Sequence, residues 1–365
     1  KAIIFVFQNP VINIIQAMMA AILNKTWMTG SQFVRFNTVS LVHSRYHSTS
    51  SVLNQQAAAS AIAQGSAIDR SSVKPPSAIP GPRRVPFFGC VPSMFLDKDF
   101  DFKRIHIYWN KLIATYGPIV RMDLPAFGPT VLVSDPNVGE TLTRITMDDP
   151  WRPSMYSLKK IRTDAVEYYE KKLGLLIENG EEWKRVRTRV QTPMMKPKNV
   201  TAYLPQMDQV ALDFLDRIAT FQKNYGEMPN TFQHEIYKWA LESVSLVALN
   251  RRMGCLEPNL PSDSEALTLI TETNKIFELL SRIEFGPHLW RFFPTPAYSK
   301  LKKSHNEFLR VAHKNILETE ARLKAKDPSS EDELTLMEIL LLTPGLTRRD
   351  VVTLILDMLL AGIDT

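Results

Sequence analysis

The side chains best suited to chemistry are two acids and an alcohol within the last nineteen residues. Thr347-Arg348-Arg349-Asp350 leads into VVTLILDMLLAGIDT, where Asp357 and Asp364 stand seven apart and Thr365 follows directly. Seven residues make two helical turns, so both carboxylates fall on nearly one face. A carboxylate in so apolar a stretch costs free energy unless it is hydrogen-bonded or neutralised. Ala361-Gly362 leaves a small-residue gap where a flat ligand or another backbone can approach, and Thr365 can bond back along the helix or turn toward a ligand. The same residues also suit a plainer reading, with satisfied structural acids and a helix-packing notch. A second constellation lies far upstream in GEEWKRVR, residues 180–187. Trp183 and Arg187 are one turn apart and offer an indole donor and a guanidinium to a buried carboxylate. A surface basic helix with one tryptophan packed inward would have the same spacing. Arg185 and Arg189 fall on other faces and read as solvated or partner-facing.

Other chemistries find little support. The seven histidines form no H-E-x-x-H pattern and no metal site is assigned. Cys90 and Cys255 lie far apart and outside any C-x-x-C spacing, which argues against a disulfide framework or a zinc site and for a reducing compartment. There is no G-x-S-x-G, Walker loop or G-x-G-x-x-G. Lys+Arg 44 against Asp+Glu 38 gives a net charge of +6, which suits an acidic partner or a membrane surface but is no nucleic-acid footprint. With 44% hydrophobic and 22% charged residues, the chain has the composition of a globular protein with a substantial core.

These groups need elements to position them. Residues 1–68 contain no Asp or Glu but carry Lys1, Lys25, Arg35 and Arg45 among many hydroxyls, a mitochondrial transit composition. Residues 1–73 are therefore expected to be leader and linker. A membrane anchor at 2–23 competes with that reading, although Gln8, Asn9, Pro10, Asn13 and Gln16 interrupt it. Lys74-Pro75-Pro76 and Ile79-Pro80-Gly81-Pro82 then form a stiff lead-in. A helix over 102–116 and strands over 119–124 and 130–134 are predicted, the strands pairing as a hairpin. Beyond Asp135-Pro136 the pattern is helical, over about 137–146, 181–190, 201–222, 232–249, 264–282, 298–325 and 347–365. Thr347 with Asp350 three residues on resembles a capping box. One mostly-α domain with a small sheet follows, spanning 74–365.

A-G-x-D-T at the end of an apolar helix resembles the oxygen-activation motif of the cytochrome P450 family, and W-x-x-x-R resembles that family's haem-propionate helix. With the proline-rich lead-in, the hairpin and the long middle helices, five features occur in family order from about Lys74 onward. Trp151-Arg152-Pro153, residues 174–200 and residues 237–256 look like the mitochondrial, insect-like branch. The resemblance implies a mostly-α P450 fold with a small β-sheet. It implies haem held by Trp183 and Arg187, with its face against Ala361 and Gly362, and proton relay through Asp364 and Thr365. It also implies a monooxygenase inserting one atom of O2 into a lipophilic substrate such as a steroid or xenobiotic. Electrons would come from NADPH through mitochondrial ferredoxin reductase and ferredoxin, with the protein at the inner-membrane surface; the alternative location is the endoplasmic reticulum membrane. The substrate side would be the loop after residue 150 and the cluster Phe285, Leu289, Trp290, Phe292 and Phe293. Such clusters more often fill a core, but this one could touch a membrane and admit an apolar ligand.

The family pattern also requires an E-x-x-R helix and an F-x-x-G-x-R-x-C-x-G loop after the A-G-x-D-T helix, and here nothing follows Thr365. Neither Cys90 nor Cys255 fits the axial thiolate, so the chain is expected to be the front two-thirds of such an enzyme, inactive alone. The competing expectation is a non-catalytic truncated isoform or a helical ligand-binding protein.

Overall fold

The computed structural model describes Ile3–Phe5 and residues 74–365, except 102–103, 125–127, 153–154, 286–287, 326–332 and 365. The rest of the 1–73 segment, and with it nearly all of the leader and anchor readings, lies outside the described residues. Ile3–Phe5 (β1) pairs in parallel with β3 (Gly128–Val133), which pairs antiparallel with β2 (Ile119–Leu124) from Ile119↔Val133 to Leu124↔Gly128. Alternate residues of β2, Val120, Met122 and Leu124, point into a small core with Cys90, Met94 and Leu132. The helix α1 (Val91–Phe95) and the amphipathic α2 (Ile105–Tyr116) close this core, α2 through Tyr108 and Leu112 one turn apart.

The proline-rich lead-in docks on this sheet. Arg121 N donates to Pro80 O at 2.8 Å, and a Cβ at Gly81 would run into the Arg121 carbonyl. Only glycine lets the two backbones come so close.

The helical body follows. Asp135 caps α3 (Pro136–Thr146) by accepting from Asn137 N at 2.8 Å and Val138 N at 3.1 Å. The segment expected to be a loop after residue 150 contains two helices, α4 (Tyr156–Asp164) and α5 (Val166–Tyr169). Their signal is tertiary: the buried Glu284 carboxylate, more than a hundred residues away, accepts from Tyr156 N and Ser157 N and so caps α4 from outside. Next, α6 (Gly180–Met195) runs past Pro193, beyond the predicted end near 190, since one proline close to a C-terminus removes only one ladder bond. Short α7 (Pro197–Thr201) leads to α8 (Leu204–Tyr225), α9 (Phe232–Leu249), α10 (Glu265–Phe285) and α11 (Pro296–Ala325). A Thr335/Glu338 capping box then starts α12 (Leu336–Leu341), and α13 (Arg348–Asp364) ends the described chain.

Helix α13 is the axis of the larger core. Every residue from Asp350 to Ile363 is buried, and α9, α10, α11 and α12 all pack against it. The sequence alone predicts as much, because a helix apolar all round belongs in the middle. The fold is mostly helical with a small sheet. Among the described residues no helix is long and apolar enough to cross a membrane.

Candidate active site

The N-terminus of α13 is fixed as the sequence suggests. Asp350 accepts from Thr347 N at 2.7 Å and from Thr347 Oγ1 at 2.8 Å, and its own N–H donates back to Thr347 Oγ1 at 3.2 Å. Asp350 also takes Arg185 of α6 at 2.7 Å. Arg185 reaches Glu182 and the Gly345 carbonyl as well, so this arginine ties α6 to the start of α13. The solvated role read from its helical face is thereby corrected: position on a face does not reveal a carboxylate supplied by another element.

Two turns further along, Asp357 is fully buried and meets Arg162 of α4 at 2.7 Å. Burial raises the Asp357 carboxyl and Arg162 opposes that rise; the anion in turn holds the guanidinium charged. Arg162 also donates to Leu173 O at 2.6 Å and lies over the Tyr169 ring at 5.0 Å. The segment 172–177 folds over this pair. Thr353 Oγ1 donates to Lys172 O at 3.2 Å, and Gly174 sits at φ +87 with its missing Cβ aimed at the Asp357 carboxylate and at Thr353 Cγ2, 2.8 Å away. Behind Tyr169, His305 of α11 lies 3.3 Å from the phenol oxygen, and burial pushes its pKa down to about 3.

The other sequence-predicted residues divide between two places. Trp183 on α6 is buried, and Arg187 one turn later is half-buried. Sequence reasoning missed a third member, Arg152, whose guanidinium lies over the Trp183 ring at 5.6 Å. Asn179 orients it by accepting from Arg152 N at 2.7 Å, and Arg152 Nη2 donates to Leu175 O at 2.7 Å. Desolvation lowers the pKa of both arginines, and the nearby Arg187 charge lowers that of Arg152 further. Neither forms an ion pair among the described residues, and Arg152 Nε is buried without a partner. Two like charges in a desolvated space with no ion-pair partner among the described residues are chemically suited to a ligand bearing carboxylates. The clue to Arg152 was Trp151-Arg152-Pro153, a sequence signature with no periodicity to give it a role.

At the far end of α13, Ala361 and Gly362 are buried. A Cβ on Gly362 would meet Val244 Cγ2 of α9 at 2.8 Å, so this glycine faces the neighbouring helix. Asp364 is exposed and its side chain forms no hydrogen bond or ion pair among the described residues, yet partial desolvation raises its carboxyl. Thr365 lies outside the described residues. Of the cluster read as substrate-facing, Phe292 is 84% and Phe293 54% exposed, which corrects the expectation that they fill a core.

Neither cysteine lines the site. Cys90 packs beside Met94 with its pKa pushed up to about 11, and buried Cys255 sits against Glu242, its thiol also pushed up by burial.

The guanidinium pair has the chemistry to take the carboxylates of a haem, whereas Gly362 is packed against α9. The family described as Cytochrome P450 matches residues 79–365. "Probable cytochrome P450 49a1" of Drosophila melanogaster is 30% identical over 330 residues, covering 87% of this chain and 54% of that protein. "Probable cytochrome P450 301a1, mitochondrial" of the same organism is 32% identical over 295 residues, 80% of this chain and 53% of the relative. "Cytochrome P450 12b1, mitochondrial" of Drosophila acanthoptera is 31% identical over 193 residues, 53% of this chain and 35% of that relative. The chain thus spans about half the length of the first two relatives. The chain belongs to the cytochrome P450 family, and insect mitochondrial-type members are among its relatives.

Proposed function

We propose that this chain forms the haem-cradling part of a haem-thiolate monooxygenase that inserts one atom of O2 into a lipophilic substrate such as a steroid or xenobiotic. The observation that carries this reading is the anion-free pair Arg152 and Arg187 around Trp183, set against the segment that covers the middle of α13. Arg187, Trp183 and Arg152 hold the two propionates, each guanidinium exchanging a desolvated, unpaired charge for a charge-assisted hydrogen bond. Ala361 faces the flat ligand, while Gly362 lets α9 close behind it through Val244. Bound there, haem supplies the oxygen activation that side chains alone lack. Cys90 and Cys255 are both buried away from these residues, and neither would supply a thiolate to such a group.

Asp364 at the end of α13, with Thr365 next to it in sequence, would move protons. A carboxyl raised by desolvation and without a counter-charge takes up and releases a proton closer to neutral pH, as a relay requires. Electrons arrive from NADPH through ferredoxin reductase and ferredoxin in the mitochondrion, as the mitochondrial relatives suggest. The exposed Phe292 and Phe293 support contact with the inner-membrane surface.

Haem content tests this reading. In the full-length protein, Arg152→Ala with Arg187→Ala should lose most of the bound haem, read from the haem absorbance per protein, while the far-ultraviolet circular dichroism stays unchanged. Wild-type haem content in that double variant would overturn the assignment.

A further inference from the structure

The segment 172–179 lies between two sets of charges and is bonded to both. On the side of α13, Arg162 Nη1 bridges the Asp357 carboxylate at 2.7 Å and the Leu173 carbonyl at 2.6 Å, and Leu176 N donates to Asp357 Oδ2 at 3.5 Å. On the other side, Arg152 Nη2 donates to Leu175 O at 2.7 Å and to Glu178 O at 3.4 Å. The Asn179 side chain holds the Arg152 backbone, accepting from its N–H at 2.7 Å and donating to its carbonyl at 3.3 Å. One peptide unit serves both sides: the carbonyl of Leu175 takes Arg152, and the N–H of Leu176 in the same unit meets Asp357. That unit is planar and trans, so its C=O and N–H point in opposite directions and neither turns without the other. An anion at the N–H also polarises the unit and strengthens its carbonyl as an acceptor. Charge links the same two residues, since Asp357 raises the pKa of Arg152 where Arg187 lowers it.

We propose that Asp357 is a positioning residue for Arg152: through the Leu175–Leu176 peptide it sets where the guanidinium stands, and so how tightly the protein keeps haem. This role rests on the reading of Arg152 as a propionate ligand. The two carbonyls occupy Nη2 and leave Nε, which is buried without a partner, for a carboxylate. Stability alone does not call for charges in the middle of α13, because a buried ion pair is often no better than a packed apolar pair. Orientation does call for them. Arg162 fixes one end of the segment at Leu173 O, and Asp357 fixes the peptide that bears on Arg152. Gly174, at φ +87, turns the chain between these two points closely enough for the carboxylate to reach it.

The test follows haem transfer from the full-length, haem-loaded protein to apomyoglobin. Asp357→Leu with Arg162→Met should keep the wild-type circular dichroism yet release haem about tenfold faster, the loss of one hydrogen bond to a charged group. Arg152→Ala alone should speed release at least as much, and adding the apolar pair to it should speed release no further. The haem propionate bending band in the resonance Raman spectrum should shift in the same direction in the apolar pair and in Arg152→Ala. Asp357→Asn, which keeps the size and an acceptor but not the charge, should give about a threefold effect in the same cycle, and it carries the test if the apolar pair fails to fold. Thr353→Val loosens the same segment at Lys172 O but leaves the Leu175–Leu176 peptide bonded on both sides, and should stay within about twofold of wild type. Equal loss in Thr353→Val, or full additivity in the Arg152→Ala background, would make the pair merely structural and overturns the proposal. Wild-type release from Arg152→Ala would remove the propionate reading and this role with it. Faster release from Arg152→Ala beside wild-type release from the folded Asp357 variants would overturn the positioning role alone.

Discussion

Asp357 and Asp364 stand two turns apart on one helix and meet opposite conditions. Asp357 has no solvent exposure and is bound to Arg162, under a covering segment whose Gly174 leaves room for nothing larger. Asp364 is exposed, and its side chain has no ionic partner among the described residues. Desolvation raises both carboxyls, but a guanidinium opposes the rise only at Asp357. A raised carboxyl therefore does not by itself mark a reactive acid. What separates the two is whether the fold has also supplied the counter-charge.

The sharpest way to break this comparison is at the buried pair. Asp357→Ala strands a charged, buried Arg162 and should cost about 3–5 kcal/mol of unfolding free energy in urea titrations. If the pair is purely structural, Asp357→Leu with Arg162→Met should recover most of that loss, since a well-packed apolar pair is often neutral relative to a buried ion pair.

Next in size is Gly174→Ala. At φ +87 it forces a Cβ against the Asp357 carboxylate, and about 1–3 kcal/mol should be lost. The loss should shrink in an Asp357→Ala background, the coupling expected of groups in contact.

The surroundings of the pair also set a pH dependence. His305 titrates near 3 when folded and near 6.5 when unfolded, so below about pH 6.5 the unfolded chain binds a proton that the folded one refuses. Stability from this residue is present above that pH and is lost as pH falls toward 3, by about 1.4 kcal/mol per unit inside the window. His305→Gln should flatten the slope of stability against pH. An unaltered slope would show that the titration lies elsewhere.

Asp364→Asn should have the smallest effect on stability, within about 0.5 kcal/mol by thermal or chemical denaturation, because it removes no ion pair. A loss approaching that of Asp357→Ala would end the distinction between the two acids.

Much of this was legible in the sequence. The hairpin, the long helices and the Thr347/Asp350 cap depend on local periodicity and on side chains three residues apart, and the structure has each of them. Arg162, Arg152 and α4 were not legible. Arg162 gains meaning only from an acid almost two hundred residues later, and α4 is capped by a distant glutamate. The two acids, read together from helical spacing, differ because of what other elements bring to them. The exposed Phe292 and Phe293 could not be told from core residues, since hydrophobicity fixes what a side chain prefers and not what covers it.

The most direct measurement is NADPH-driven oxidation of a lipophilic probe such as 7-ethoxycoumarin by the full-length, haem-loaded protein carrying Asp364→Asn. Turnover should fall about a hundredfold while haem content and unfolding midpoint stay at wild-type values. Wild-type turnover in that variant would contradict the role assigned to Asp364 and leave both acids structural.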